Sequence, residues 1–540
     1  MVYVNSFRGQ NWLIPQSIQD MIPENHICFF VEEFVDSLDF SNFDMIYEGP
    51  GHPTYHPRII MKIIIQGMLS KERSSRKLAS ACRENFVFMY LAEKVQPNFR
   101  TIARFRKGNA EFIKETFKET VNLASENDLI DLSLLCIDGS TIKANANLRK
   151  CLKKEQAEIF GSIISKMIEE DIKQDEIDKK LNSKEENLIE MDRRDLKKIV
   201  SEYRNTKDKS KVKEKCEKVK EEFEKDTKAK QIPLTDSESR IMQNKRGLHE
   251  LSYNAQFGVD SKHQIIVSND ICQDRHDAHQ FIPQMRNIKE NVDLKKDTKV
   301  AVDCAYSEGE NLNFAETEKI DLYVPSRAQA QEFDGKEESL NHDNYEFDVK
   351  KNELIVEKER YRYRGTYERK SGKKVITFYS EKLKKKKEVP FFFKERLRMK
   401  KKMETEKARE IYNMRKYVIE PVIGNIKENL GFRQFLVRGL NGAKLELNLV
   451  SIAHNLKKIW ILREKISQTY DTKIKNIDFC LIIKNNYLNC RTACAVQRGF
   501  LKKKCNVPTN EMRRVFSSAL RNLNLHSLGG ERKKLFASFS

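Results

Sequence analysis

Residues 132–146, Leu132-Ser-Leu-Leu-Cys-Ile-Asp138-Gly-Ser-Thr-Ile-Lys-Ala-Asn-Ala146, decide how the rest of the chain is read. The apolar run is too short for an ordinary helix and is bounded by turn residues, the signature of a buried strand. It carries Asp138 at its C-terminal end and is expected to break at Gly139. A carboxylate at the end of a buried strand is costly unless a cation meets it. Two other stretches supply comparable acids. Lys299-Val-Ala-Val-Asp303-Cys-Ala-Tyr306 is a second buried strand ending on Asp303. Tyr417-Val-Ile-Glu420-Pro-Val-Ile-Gly-Asn-Ile-Lys427 puts Glu420 on a helix expected to end near Gly431. Three acids on separate elements suit two divalent ions. Hard cations such as Mg²⁺ take oxygen ligands, and two of them about 3.5–4 Å apart clamp the attacking and leaving oxygens of a phosphodiester.

The composition points the same way. Lys and Arg number 100 against 80 Asp and Glu, a formal net charge of +20 over 540 residues. Such an excess suits a polyanion binder, because each neutralised phosphate releases a counterion. The 11 cysteines are scattered, several beside apolar residues, as reduced thiols are. No apolar stretch is long enough to span a bilayer, and no secretory h-region opens the chain. These features predict a soluble intracellular protein, 540 residues being enough for several domains.

Residues 1–130 read as a helical domain. His56-Pro57 precedes the apolar helix from Arg58 to Leu69, Ser74 and Ser75 are natural caps for the next, and Pro97-Asn98 starts a third carrying Arg100, Arg104, Arg106 and Lys107. Arg100 and Arg104 lie one turn apart and share a face, which suits DNA phosphates or equally a solvated bundle surface. His26, His52 and His56 lack a matched cysteine pair and are not assigned a metal. Residues 151–235 are dense in Glu and Lys, with Ile159, Ile163, Ile172, Leu181, Leu188, Met191, Leu196 and Ile199 at roughly helical spacing; a helical, coiled-coil-like arm is expected there. Leu251 to Asp260 and Ile265 to Ser268 form an antiparallel hairpin, and Phe281 to Ile288 a helix with Pro283 in its first turn. Asp260 rivals Asp303 as the second acid, but a hairpin turn favours aspartate for local hydrogen bonding. Asp277 suits a supporting acid or a helix cap. Residues 333–400 form a small β-rich insertion with basic flanks at Lys384–Lys387 and Lys400–Lys402, and a long helix from Met403 to Lys416 leads into Glu420.

Strand, hairpin, helix, strand, helix is an order compatible with an RNase H-like α/β core, a mixed sheet with helices on both faces. Asp138 and Asp303 stand 165 residues apart, and the arm at 151–235 accounts for the excess over a compact fold of that kind.

With Tyr253-Asn-Ala-Gln256, Arg73-Ser-Ser-Arg-Lys-Leu-Ala, Pro97-Asn-Phe-Arg-Thr-Ile-Ala-Arg-Phe-Arg106 and the Ala-His-Asn-Leu456 stretch, these segments together resemble DDE transposases of bacterial insertion sequences carrying an InsH-type N-terminal domain. The resemblance spans about residues 1–462. It implies a catalytic domain over 131–462 in which Asp138, Asp303 and Glu420 hold two Mg²⁺ ions, with Mn²⁺ as a substitute. It also implies that Tyr412, Arg415 and Lys427 belong to a Tyr-Arg-Glu-Lys signature contacting the transposon end. Four residues separate Arg415 from Glu420 where the signature has three, and the insertion lacks the cysteine cluster of many relatives, so no zinc is expected there. The implied function is cleavage of double-stranded DNA at the element's terminal repeats and strand transfer into target DNA, by a homo-oligomer in the cytoplasm at the nucleoid. A hydrolytic nuclease of the same fold and a catalytically decayed DNA-binding relative stand as alternatives. Residues 463–540, a basic tail with Cys490, Cys494 and Cys505, fall outside the resemblance.

Overall fold

A computed structural model describes residues 17–43, 54–169, 197–201, 209–244, 247–335, 345–370 and 372–470. The chain divides into Met1–Thr469 and Tyr470–Ser540, and the elements below belong to the first unit, save the last residue of the final helix. His52, the arm positions Ile172, Leu181, Leu188, Met191 and Leu196, and Cys490, Cys494 and Cys505 lie outside the described residues.

The N-terminal part is helical: α1 (Ile27–Ser37), α2 (Pro57–Leu69), α3 (Ser75–Glu84), α4 (Phe86–Leu91), α5 (Phe99–Gly108) and α6 (Ala110–Glu126). His26 and His56 serve as N-caps, their Nδ1 atoms accepting from the Cys28 and Arg58 amides at 3.1 Å each. Pro57 occupies the first turn of α2, where a missing N–H is harmless. Asn98 caps α5 at 2.9 Å, whereas Ser74 stands at the cap position of α3 without using its hydroxyl.

The central sheet comprises β1 (Leu134–Lys143), then, after the arm, β4 (Arg240–Gln243), β5 (His249–Asp260), β6 (Ile266–Cys272), β7 (Lys299–Val302) and β8 (Asp321–Tyr323). Within the arm, β2 (Cys151–Leu152) and β3 (Ile232–Pro233) form a two-stranded base. The order is β4-β5-β1-β7-β8, with β6 also on β5; β5 runs antiparallel to β1, and β7 and β8 run parallel to it. β1 does not break at Gly139 but continues to Lys143, pairing Gly139 with Gln256 and Lys143 with Ser252. The glycine answers a different demand. A Cβ there would lie 2.4 Å from both Asp277 Oδ1 and Gln256 Nε2.

Helices cover both faces. On the face shared by Gly139, Gln256 and Gly258, the helix Phe281–Asn291 packs Ile288 against β5. On the other, Asp138 meets the long helix Glu406–Gly424.

The described ends of the arm are helices α7 (Lys154–Glu169) and α8 (Lys209–Lys225), which share a core of Phe160, Ile163, Ile164, Val212, Val219 and Phe223 with Ile199 and Val200. Beyond β6 come α9 (Phe281–Asn291), α10 (Gly309–Thr317) and α11 (Arg327–Phe333). The insertion that follows is a five-stranded antiparallel meander, β9 (Glu346–Asp348), β10 (Glu353–Val356), β11 (Glu359–Glu368), β12 (Lys374–Ser380) and β13 (Lys385–Pro390). Its core of Leu354, Tyr361, Phe378 and Val389 closes on Phe393 of α12 (Phe393–Met403). The expected helix from Met403 is in fact two. Met403 ends α12, and Thr405 caps the new helix α13 (Glu406–Gly424) by accepting from the Ala408 amide. A π-helical turn, Asn425–Asn429, follows, and α14 (Leu440–Tyr470) completes the unit. Among the described residues no helix is long and apolar enough to cross a membrane.

Candidate active site

The register of β1 on β7 places Ile137 opposite Val302, so Asp138 is the next residue of β1 and Asp303 the first residue past the adjacent parallel β7. Both side chains meet α13. Arg415 Nη1 donates to Asp138 Oδ2 at 2.8 Å and Nη2 to Asp303 Oδ1 at 3.3 Å, while the Tyr412 hydroxyl donates to Asp303 Oδ1 at 3.3 Å. Tyr412 and Arg415 are three apart, hence on one face of the helix, and the guanidinium lies 5.6 Å from the Tyr412 ring centre.

Burial pushes the Asp138 carboxyl up to about 6; Arg415 and the Gly139 amide pull it back, while Asp303 and Asp277 push the same way as burial. Arg415 feels the converse. Burial works against its charge, and the two aspartates outweigh that and hold it more firmly protonated. The arrangement is a carboxylate pair that requires a cation, and Arg415 supplies one.

Glu420 does not join this group. It is exposed on α13, five residues beyond Arg415 and therefore about 140° around the helix. Among the described residues no three His, Cys, Asp or Glu side chains are gathered closely enough to hold a metal ion. The oxygens of Asp138 and Asp303, sharing one cationic partner, fit a hard divalent ion as two donors; the third expected donor stands apart in this arrangement.

Lys427 does reach the site's strand. Its Nζ donates to the Thr141 carbonyl at 2.9 Å, three residues beyond Asp138. The seven-residue interval to Glu420 was expected to be two helical turns on one face, but the turn carrying Lys427 is π-helical, and its larger number of residues per turn takes the two positions out of line. Three hydrogen bonds hold this region. Pro421 has no N–H for the Tyr417 carbonyl, and Gln264 Nε2 from the β5–β6 turn donates to that carbonyl instead, at 2.9 Å. Asn425, in the π turn, bonds His454 Nδ1 at 2.9 Å, while His454 Nε2 bonds the Gln264 carbonyl at 2.9 Å. Burial lowers His454 to about 4, so the ring is neutral, with Nε2 donating and Nδ1 accepting.

Asp260 keeps a local role. It is fully buried, and its two oxygens accept from the Leu132 and Lys262 amides at 2.9 and 3.0 Å. Of the basic residues on α5, Arg100 and Arg104 are exposed, with Lys107 on the same side. Arg106 is not at that surface. It is 5% exposed, donates twice to the Arg73 carbonyl at 3.0 Å and lies 3.8 Å from Glu446, so it ties α5 to α14 and has no face to offer DNA. Sequence reasoning singled out Asp277 as a supporting acid but missed the polar group behind β1 to which it belongs, in which Asn254, Gln256, Asp277 and Tyr306 are hydrogen-bonded together. Its signal was present: two amides at alternate positions of one buried strand, facing one side.

Residues 16–108 match the family described as Transposase domain (DUF772), and residues 376–460 match that described as Transposase DDE domain. No curated protein and no solved structure matches the chain. The second segment contains Tyr412, Arg415, Glu420, Lys427 and His454, while Asp138 and Asp303 lie between the two. Together the two matches fit a DDE transposase of insertion sequences.

Proposed function

We propose that this chain, a transposase by its two family segments, cuts phosphodiester bonds at the ends of its own element and joins the freed ends to target DNA. The carrying observation is that Asp138, on β1, and Asp303, the residue after the neighbouring parallel strand β7, converge on Tyr412 and Arg415 of α13. The sheet around β1, with antiparallel β5 carrying β4 and β6 to one side and parallel β7 and β8 to the other, supports an RNase H-like sheet.

In this reading Asp138 and Asp303 would hold Mg²⁺, with Glu420 as a further oxygen donor. When bound, a pair of such ions supplies charge neutralisation at the phosphate and activation of the attacking oxygen. The protein's own part is positioning. Arg415, held between the two acids, and Lys427, beside Thr141, present fixed positive charge at the mouth of the site for the backbone of the end being cut. Arg100 and Arg104, one turn apart on exposed α5, grip phosphates further along the duplex. Two DNA ends are brought together by more than one copy of the chain.

The test is a Mg²⁺-dependent reaction on labelled DNA carrying the flanking ends of the gene, with a separate target plasmid. Cleavage followed by joining is expected. It is lost on chelation and in Asp138→Ala, Asp303→Ala and Glu420→Ala, each of which still binds the ends. Cleavage retained by all three variants overturns the assignment. Cleavage without joining identifies a hydrolytic nuclease, and binding without cleavage a non-catalytic DNA-binding protein.

A further inference from the structure

Asp138 and Asp303 are fixed by different means. Asp138 lies inside a strand with neighbours paired on both sides. Asp303 is the first residue past β7, where the chain leaves the sheet and no ladder holds it. Its side chain meets Tyr412 and Arg415, and its backbone is held by Tyr306. The Tyr306 amide donates to the Asp303 carbonyl at 3.0 Å, closing a single 3₁₀ turn, and the fully buried Tyr306 hydroxyl donates to Gln256 Oε1 at 2.5 Å. Gln256 is itself fully buried on β5, opposite Gly139, the residue after Asp138.

The direction of the amide is set by what lies beyond it. Asp277 Oδ1 takes hydrogen bonds from Gln256 Nε2 at 2.5 Å and from Asn254 Nδ2 at 2.7 Å. A carboxylate only accepts, so the Gln256 NH₂ faces Asp277 and its oxygen faces Tyr306. Asn311 closes the ring, its Nδ2 donating to the Tyr306 carbonyl at 2.9 Å and to the Ala278 carbonyl at 2.6 Å. Gly139 leaves the space through which Asp277 approaches. All of this sits on the face of the sheet away from Arg415.

We propose that Gln256, oriented by Asp277 and bonded to Tyr306, is a positioning strut that sets the separation of Asp138 and Asp303. The proposal rests on those two aspartates being the catalytic pair. Gln256 touches neither reacting carboxylate; it acts through the turn that carries Asp303 and the strand beside Asp138. The strut gives a physical role to two motifs, Tyr253-Asn-Ala-Gln256 and Asp303-Cys-Ala-Tyr306, which interlock through one hydrogen bond.

The experiment compares single-turnover cleavage of end DNA in Mg²⁺, end-DNA affinity and thermal melting for wild type, Tyr306→Phe, Gln256→Ala and their double variant, with Asp138→Asn as control. The single variants are expected to bind ends as the wild type does and to cleave about 10–100-fold more slowly, the loss that follows from a misplacement of about 1 Å. The double variant is no slower than the slower single one, because both changes break the same chain of bonds. Gln256→Glu alone sets two carboxylates against each other and is slower still. Adding Asp277→Asn keeps the net charge, restores a donor facing residue 256 and recovers most of the rate. Wild-type cleavage by Tyr306→Phe and Gln256→Ala, with Asp138→Asn inactive, overturns the strut. So does slow cleavage that tracks lost DNA affinity or lost folding and is not rescued by the double exchange. Cleavage by Asp138→Asn instead overturns the functional reading on which the strut rests.

Discussion

Arg415 and His454 are the residues whose charge states define the site region. Arg415 faces two acids, and replacing it with Gln leaves them close together without their cation. Because Asp303 keeps 35% of its side chain exposed, the loss of stability is expected near the low end for a buried pair, about 2–3 kcal/mol, seen as a lower denaturant midpoint. An unchanged midpoint would show that the guanidinium contributes no net attraction there. His454 titrates near 4 in the fold against 6.5 in the unfolded chain. Its folded value is depressed, so its contribution is complete above pH 6.5 and is lost progressively as pH falls towards 4, by up to about 3 kcal/mol. Denaturation at pH 7, 5.5 and 4.5 tests this, since His454→Gln, which can still bond Asn425 and the Gln264 carbonyl, should lose that part of the pH slope.

At the scale of the elements, the apolar runs that end on Asp138 and Asp303 did become neighbouring strands, because alternation and short length leave a buried strand few alternatives. Gly139 was misjudged as a break because glycine has two uses, left-handed turns and close approach, and only the partner strand distinguishes them. Gly139→Ala should therefore destabilise by about 1–3 kcal/mol through overpacking against Asp277 and Gln256, measurable by urea unfolding. The π turn was equally hidden, and the groups that bond its flanks, Gln264 and His454, lie elsewhere in the chain. Gln264→Ala leaves the exposed Tyr417 carbonyl to water and should cost about 0.5–1.5 kcal/mol, with faster amide exchange localised to α13. Exchange unchanged in α13 would mean that Gln264 does not brace it.

The molecule as a whole joins distant segments through buried polar contacts. Asn455 of α14 bonds the Ile266 backbone and Thr120 of α6, and Arg106 and Arg73 tie the N-terminal helices to Glu446 and Gln434. The arm is anchored likewise, with Arg240 of β4, 2% exposed, bonded to Glu222 of α8 at 2.7 Å. Because β2 and β3 are paired, a short linker can replace residues 153–231. That deletion strips Arg240 of both its acids, Glu222 and Asp226, and should lower the melting temperature; Arg240→Met in the same deletion should recover part of the loss, followed by circular dichroism. In DNA binding, Arg100→Ala with Arg104→Ala should weaken affinity for any sequence and flatten the salt dependence by up to about two phosphates. An unaltered slope would return both residues to the solvated surface.

By itself the sequence determined the strands, the capped helices, the basic balance and the acids worth following, because these depend on periodicity and composition within a short window. Tertiary structure alone decided which charges meet. Arg100 and Arg106 lie on the same ten-residue helix, yet one faces solvent and the other Glu446. Asp303 and Glu420 were both expected beside Asp138, yet only Asp303, the residue after β7, shares Arg415 with it. Burial and pairing are set by what packs against a residue from elsewhere in the chain, and a local pattern carries no record of that.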